Sequence, residues 1–388
     1  MSEFIKGISL DNKNIVNIEV NGIRISKLTK DPISNNHRQD FDNSYIAPGL
    51  VDIQINGYKG IDFNSTTLTK EDVKDVCFYL LQNGVTSFMP TVITSDDDSI
   101  KYLLKTISDA YDAYEICRQS ILGIHLEGPF ISPLDGARGA HPKDHVCAPS
   151  WAKFNEYFRA SKGLIKIVTI SPEWDTSYEF TKKCINSNIV VSIGHTMANT
   201  EQINRVTMAG AKLSTHLGNG APTMIQRHPN FIWDQLANDN LTASFIGDGF
   251  HLPFNFIKVL LRSKKSNAIL VSDCTHLSGC EPGEYTTHIG GEVVLMKNGK
   301  LATKEDLNIL AGSAMLQIQT IPKLVGAGLL TLEQVWELAS KKPAILLENN
   351  LIGQLETGSY ADLVCFSLVD GSIKINSVYK HGVKIYEC

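Results

Sequence analysis

The sequence contains no run approaching the about 18 apolar residues that a membrane-spanning helix needs, and no block of lysine and arginine. The first absence leaves no candidate membrane helix. The second removes the electrostatic footprint of a nucleic-acid or anionic-membrane binder. The opening Met1-Ser-Glu-Phe-Ile-Lys lacks the charged head and long apolar segment of a secretion signal, which sets the expectation of a soluble, cytoplasmic protein. The eight cysteines, at 77, 117, 147, 184, 274, 280, 365 and 388, include no Cys-x-x-Cys pair. That argues against a disulfide framework and against a cysteine-rich zinc site, leaving most of them as reduced core thiols. Gly-x-Gly-x-x-Gly, Gly-x-x-x-x-Gly-Lys-Ser/Thr, Gly-x-Ser-x-Gly and His-Glu-x-x-His are all missing, so nucleotide cofactors and a serine nucleophile are unsupported, and no local zinc motif exists.

What is present is ordinary for a folded protein. Of 388 residues, 43% are hydrophobic and 20% charged, and 36 Lys+Arg against 41 Asp+Glu give a net charge of −5. Disorder is excluded by that apolar content and small net charge. The length allows two or three domains of about 100–200 residues, or one α/β barrel of about 250 with additions. An anionic ligand would need a local basic pocket.

Short β-rich runs at 50–55, 86–91, 122–126, 165–170, 189–193, 212–215, 242–246 and 268–272 alternate with helical-period stretches such as 69–82 and 100–118, opened by Thr69 and Ser99. Several runs are apolar on both faces, as parallel strands covered by helices are. Eight is the number that closes a (β/α) barrel, with a doubly wound open sheet as the alternative. The two ends read differently. Residues 14–26 carry a hairpin signal around Asn21-Gly22, and a second β-like stretch with a turn at His381-Gly382 follows Gly353, so the simplest arrangement pairs both ends in one small β domain.

In such a barrel the active-site groups stand at the C-terminal strand ends. The polar residues there are Gln54, Asn56, Glu127, His195, His216, Asp248, His251 and Asp273. Glu127, His195 and His216 form a carboxylate and two imidazoles, a set that holds zinc or a similar divalent ion while leaving positions open for water and substrate. Asp273, at the exit of the last strand, is placed to act as general base and then acid; the competing reading is a helix N-cap. Arg227, on the loop beyond strand six, can clamp a phosphate bidentately, with His251 as a further donor, although an exposed loop arginine is more often a solvated charge. His125 reads as a packed strand residue, and His276 and His288 have weaker claims.

Read in order, Ala47-Pro-Gly-Leu-Val-Asp-Ile-Gln-Ile-Asn-Gly, His125-Leu-Glu-Gly-Pro-Phe, Gly194-His-Thr, Thr215-His-Leu-Gly-Asn-Gly, Asp248-Gly-Phe-His-Leu and Val271-Ser-Asp resemble the motifs of the N-acetylglucosamine-6-phosphate deacetylase family of the amidohydrolase superfamily. The resemblance spans nearly the whole chain. It implies a (β/α)8 TIM-like barrel over 48–347 with a discontinuous β-sandwich from 1–47 and 348–388, and hydrolysis of the acetamide of a 6-phosphorylated amino sugar. It implies Glu127, His195 and His216 as metal ligands, Asp273 as general base and His141 as the contact to the acetyl carbonyl. Gln54, Asn219, Gly220, Arg227 and His251 are expected around the substrate, with Arg227 supplied across a homodimer interface.

Many relatives place His-x-His after strand one to hold a second metal. Here Gln54 and Asn56 stand there, and an amide is a poorer ligand than imidazole, which predicts one divalent ion per subunit, zinc first and iron, manganese or cobalt as alternatives. Two departures bear on specificity. Gly218 replaces an aromatic, and Cys274-Thr-His-Leu-Ser-Gly-Cys replaces a small-residue stretch, which leaves a galacto epimer open as substrate. A different amidohydrolase reaction and a non-catalytic barrel are the competing functions.

Overall fold

The structure, a computed structural model, describes residues 3–33, 44–289 and 291–388. Eight parallel strands pair in strict chain order: β1 (Leu50–Ile55), β2 (Val85–Ile93), β3 (Ile124–Glu127), β4 (Ile165–Ile170), β5 (Val190–Ile193), β6 (Leu213–Ser214), β7 (Thr242–Ile246) and β8 (Ala268–Val271). A doubly wound sheet requires a reversal of strand order, and none is found among the described residues. The barrel closes between β8 and β1. Asp273 N–H donates to Gln54 O at 3.0 Å and Asn56 N–H to Cys274 O at 2.9 Å, and the Asp52 carboxylate accepts the Ser272 N–H at 3.1 Å. All six residues of β1 are buried, as expected where helices cover the outside and side chains fill the inside.

The helix that follows β1, Lys70–Gln82, starts at Thr69, whose side chain and that of Asp72 cap each other's backbone N–H groups. Its buried Val73, Val76, Cys77, Leu80 and Leu81 recur at helical spacing against the barrel. The next helix, Asp97–Ala113, begins a turn earlier than the sequence suggests, because Asp96 and not Ser99 is its cap: the Asp96 carboxylate accepts the Ser99 N–H at 2.9 Å. It also ends at Tyr114, with a separate short helix at Glu115–Ser120.

The two termini meet in one seven-stranded sheet, ordered 383–387, 372–380, 363–369, 45–48, 3–8, 14–21, 24–32. Its apolar face includes Ile5, Val16, Ile18, Ile46, Leu363 and Cys365. Residues 34–43, inside the N-terminal stretch of the expected discontinuous domain, lie outside the described residues. The sheet is fastened to the barrel at a buried ion pair, Lys380 to Asp362 at 2.7 Å, with Lys380 Nζ also donating to Ser87 of β2 at 3.3 Å. Trp336 adds a stack on Phe366 at 4.8 Å and donates its indole N–H to Pro48 O.

One element has no counterpart in the sequence reading. Between β8 and the last helices lies a four-stranded antiparallel sheet, Gly283–Thr287, Gly291–Leu295, Lys300–Thr303 and Leu310–Ser313, around Leu277, Val293, Leu295 and Leu301. Its signal was present: Asn298-Gly299 separates two alternating runs, and Gly299 takes φ +84°. The sheet returns to the barrel mouth, where Thr275 N–H donates to Ser313 O at 2.8 Å. All eight cysteines are free thiols, five of them buried.

Candidate active site

Glu127 is the last residue of β3, and His195, His216 and Asp273 each follow a strand end by two residues. The last three have φ of +49°, +29° and +49°, a left-handed conformation that side-chain-bearing residues rarely adopt. Such backbone strain is concentrated where a structure must aim a side chain. Gly194 permits the turn into His195, since a Cβ there would lie 2.8 Å from Thr169 Cγ2 and 2.9 Å from Thr215 Cβ.

The turns at His195 and His216 bring both rings to one buried oxygen of Glu127. Glu127 Oε1 lies 2.9 Å from His216 Nε2 and 3.4 Å from His195 Nε2, and it accepts the Gln54 amide N–H at 3.0 Å. Burial pushes the Glu127 carboxyl up, but the bonds from the two imidazoles outweigh it and hold the group well below the usual carboxylate range. His141 joins from the loop after β3, with its ring 4.5 Å from that of His195. Ligand atoms of Glu127, His141 and His195 lie within 4.8 Å of one another, so the compact triplet in this geometry includes His141, while His216 reaches Glu127. His216 Nδ1 is buried without a hydrogen-bond partner. A buried carboxylate with imidazole nitrogens converging on it is a donor set that fits a divalent cation.

Asp273 is fixed by Asn56, whose Nδ2 donates to Oδ1 at 2.8 Å. Burial raises its pKa to about 6. His141 Nδ1 sits 2.9 Å from Thr94 Oγ1, and burial foremost, with His195 nearby, lowers its pKa to about 3, so the ring is neutral. His125 is a structural residue as expected: its nitrogens meet Ile53 O at 3.1 Å and Thr169 Oγ1 at 2.7 Å, and burial lowers its pKa to about 4.

Asn56, Glu127, His141, His195, His216 and Asp273 face a cavity of about 880 Å³ at the C-terminal mouth of the barrel. Asn219, Gly220 and His251 line it, as the sequence reading expects, with His251 Nδ1 held 2.7 Å from the Asp248 carboxylate. One expectation is corrected. Gln54 does not line the cavity: it lies beneath Glu127, spends its amide N–H there, and acts as a positioning residue. Arg227, expected to act across a homodimer interface, is exposed on the 221–229 loop and is not among the residues lining the cavity of its own chain, where that loop turns outward before Asn230 caps the next helix. At Gly218 a Cβ would come within 2.8 Å of Leu252 and 3.1 Å of Phe256, so these two side chains close the space next to it.

The sequence reading missed three features. Thr94 stands just past β2, and ending that strand at 91 hid it. Asp62 lies on a short hairpin after β1. The inserted sheet supplies one wall of the cavity through Leu301, Thr303, Ile309 and Leu310.

Comparison with known proteins agrees with this construction. The model of the amidohydrolase family matches residues 45–385. The N-acetylglucosamine-6-phosphate deacetylase of Bacillus subtilis is 32% identical over 325 residues, 81% of this chain and 80% of that protein. The N-acetylgalactosamine-6-phosphate deacetylase of a Shewanella strain is 27% identical, over 88% of this chain and 83% of its own. The crystal structure of N-acetylglucosamine-6-phosphate deacetylase from Thermotoga maritima superimposes with a TM-score of 0.84, at 25% identity over 100% of both chains. This chain belongs to the amidohydrolase family, within the group of N-acetylglucosamine-6-phosphate deacetylases.

Proposed function

We propose that the protein hydrolyses the N-acetyl group of N-acetylglucosamine 6-phosphate, releasing acetate and the amino sugar phosphate. The observation that carries this reading is the joint placement of Glu127, His195 and His216 with an Asn56-bound Asp273 in a single cavity. Glu127, His195 and His216 would hold one divalent ion, zinc by preference; such an ion supplies Lewis-acid polarisation of the amide carbonyl and lowers the pKa of an attacking water. Gln54 supports a count of one, because it turns an N–H donor toward Glu127, and His125 is already committed to Ile53 and Thr169.

Asp273 accepts the proton of the attacking water on Oδ2, the oxygen that Asn56 leaves free. A base with a raised pKa is suited to a proton that it must later return. With the Thr94 hydroxyl donating to Nδ1, neutral His141 carries its proton on Nε2, the tautomer that donates to the acetyl oxygen as charge develops there, a contact worth about 3 kcal/mol. Asp273 then delivers its proton to the nitrogen as the C–N bond breaks. Among the described residues no lysine or arginine lines the cavity, so phosphate affinity must come from His251, the amides at Asn219 and Gly220, and Arg227 of a second copy in a homodimer. Metal analysis of the purified protein, followed by acetate release from 6-phosphorylated and unphosphorylated N-acetylhexosamines, tests this. One ion per chain and phosphate-dependent release support it; no release from any of them overturns it.

A further inference from the structure

The same cavity is lined by a second cluster that the chemistry above leaves unused. His276 Nδ1 lies 3.0 Å, and His288 Nδ1 3.5 Å, from the same oxygen of Asp62. The three come from separate elements: Asp62 from the hairpin after β1, His276 from the loop after β8, and His288 from the end of the first inserted strand. All three line the cavity.

Two of the three are held rigidly. Asp62 Oδ1 accepts the Asn64 N–H at 2.8 Å, and Asn64 is clamped to β2 through Thr91 O and the Ile93 N–H. The His276 loop is stitched to the same hairpin, with the Gly60 N–H donating to His276 O at 2.7 Å and the Lys59 N–H to Ser278 O at 2.8 Å. Gly57 allows this approach, since a Cβ there would sit 2.9 Å from His276 Cβ. The side chain of Asp62 is 12% exposed and that of His276 18%, while that of His288 is 48% exposed at the rim.

We propose that Asp62, His276 and His288 form a hydroxyl-binding subsite that grips the sugar ring of the substrate and sets its specificity. Asp62 Oδ2 lies in ion-pair contact with Nδ1 of both imidazoles, which leaves Nε2 of each ring to meet a ligand. An imidazole that keeps its proton on Nδ1, beside a carboxylate, presents Nε2 as an acceptor, which a hydroxyl satisfies. The carboxylate between the rings repels a phosphate, which places the anionic end of the substrate on the Gly220 and His251 side. In a 2-acetamido-6-phospho sugar held at C2 and C6, each remaining edge of the ring presents hydroxyls: O3 and O4 on one, O1 on the other. The subsite faces one of those edges. This rests on the deacetylase reading, and it assigns to the loop after Asp273 the role of reading substrate stereochemistry.

The test is kinetic, on the metal-loaded protein. Acetate release is measured for the wild type, His276→Ala, His288→Ala and Asp62→Asn on N-acetylglucosamine 6-phosphate, its 4-epimer, its 3-deoxy analogue and its methyl glycoside. The wild type is expected to lose about 3- to 10-fold in kcat/KM on the analogue that lacks or displaces the gripped hydroxyl, mostly through KM, the size of one neutral hydrogen bond. The variants should be lowered by a similar factor on the parent substrate and be indifferent to that same change, with unchanged metal content. His288→Ala, at the exposed rim, guards against misfolding of the other two. Equal discrimination by wild type and His288→Ala overturns the subsite while leaving the deacetylase reading intact. Absence of acetate release by the wild type overturns both.

Discussion

Around one cavity Glu127, His195, His216 and Asp273 leave barrel strands at their ends or within two residues of them, while Asp62, His276 and His288 stand on a hairpin, a loop and the edge of an inserted sheet. The first group is aimed by strained backbone and shares one carboxylate oxygen; the second is held through loop-to-loop hydrogen bonds and shares another. The contrast separates two jobs. Chemistry needs atoms fixed within tenths of an ångström on the rigid ends of strands, whereas selection among similar sugars is achieved by loops that can vary without disturbing those ends.

That division can be broken by substitution, group by group. Glu127→Ala removes the oxygen on which the imidazoles converge; metal analysis should find no bound ion, and turnover should fall by about a thousandfold or more, since a Lewis acid is worth several kcal/mol. Asp273→Asn should retain fold and ion yet lose at least about a hundredfold in turnover. Arg227→Ala should raise KM for a phosphorylated substrate about 10- to 100-fold with little change in kcat, as loss of a charge-assisted hydrogen bond requires. An unchanged KM would remove the arginine, and with it the reason for a dimer, from the account. Gln54→Leu, which leaves Glu127 without its orienting donor, should weaken metal affinity about 10- to 100-fold, read by chelator titration. The smallest effects belong to Asp62, His276 and His288, and a variant there that lowered turnover on every substrate alike would erase the distinction between the two groups.

The reactive group was legible in the sequence because strand-end chemistry follows from periodicity: once eight apolar runs are located, the polar residues just past them are few. Glu127, His195, His216 and Asp273 are all of that kind. Thr94 escaped only because β2 extends to Ile93 and not to 91. Gln54 was found but misassigned, since its position two residues along β1 from Asp52 does not reveal that Glu127 lies above it. The second cluster was not legible for a different reason. Asp62, His276 and His288 are separated by more than 200 residues in sequence between the first and the second, and no period links a hairpin to a loop. Only the folded chain puts them on one oxygen. Arg227 reads as a phosphate clamp, and the family resemblance, not any feature of its loop, is what assigns it to the cavity of a second copy.

The account stands most directly on acetate release from N-acetylglucosamine 6-phosphate by purified protein whose metal content has been measured. It predicts one ion per chain and release that disappears in Asp273→Asn with the ion still bound. Two tightly held ions, or undiminished release in that variant, would contradict it.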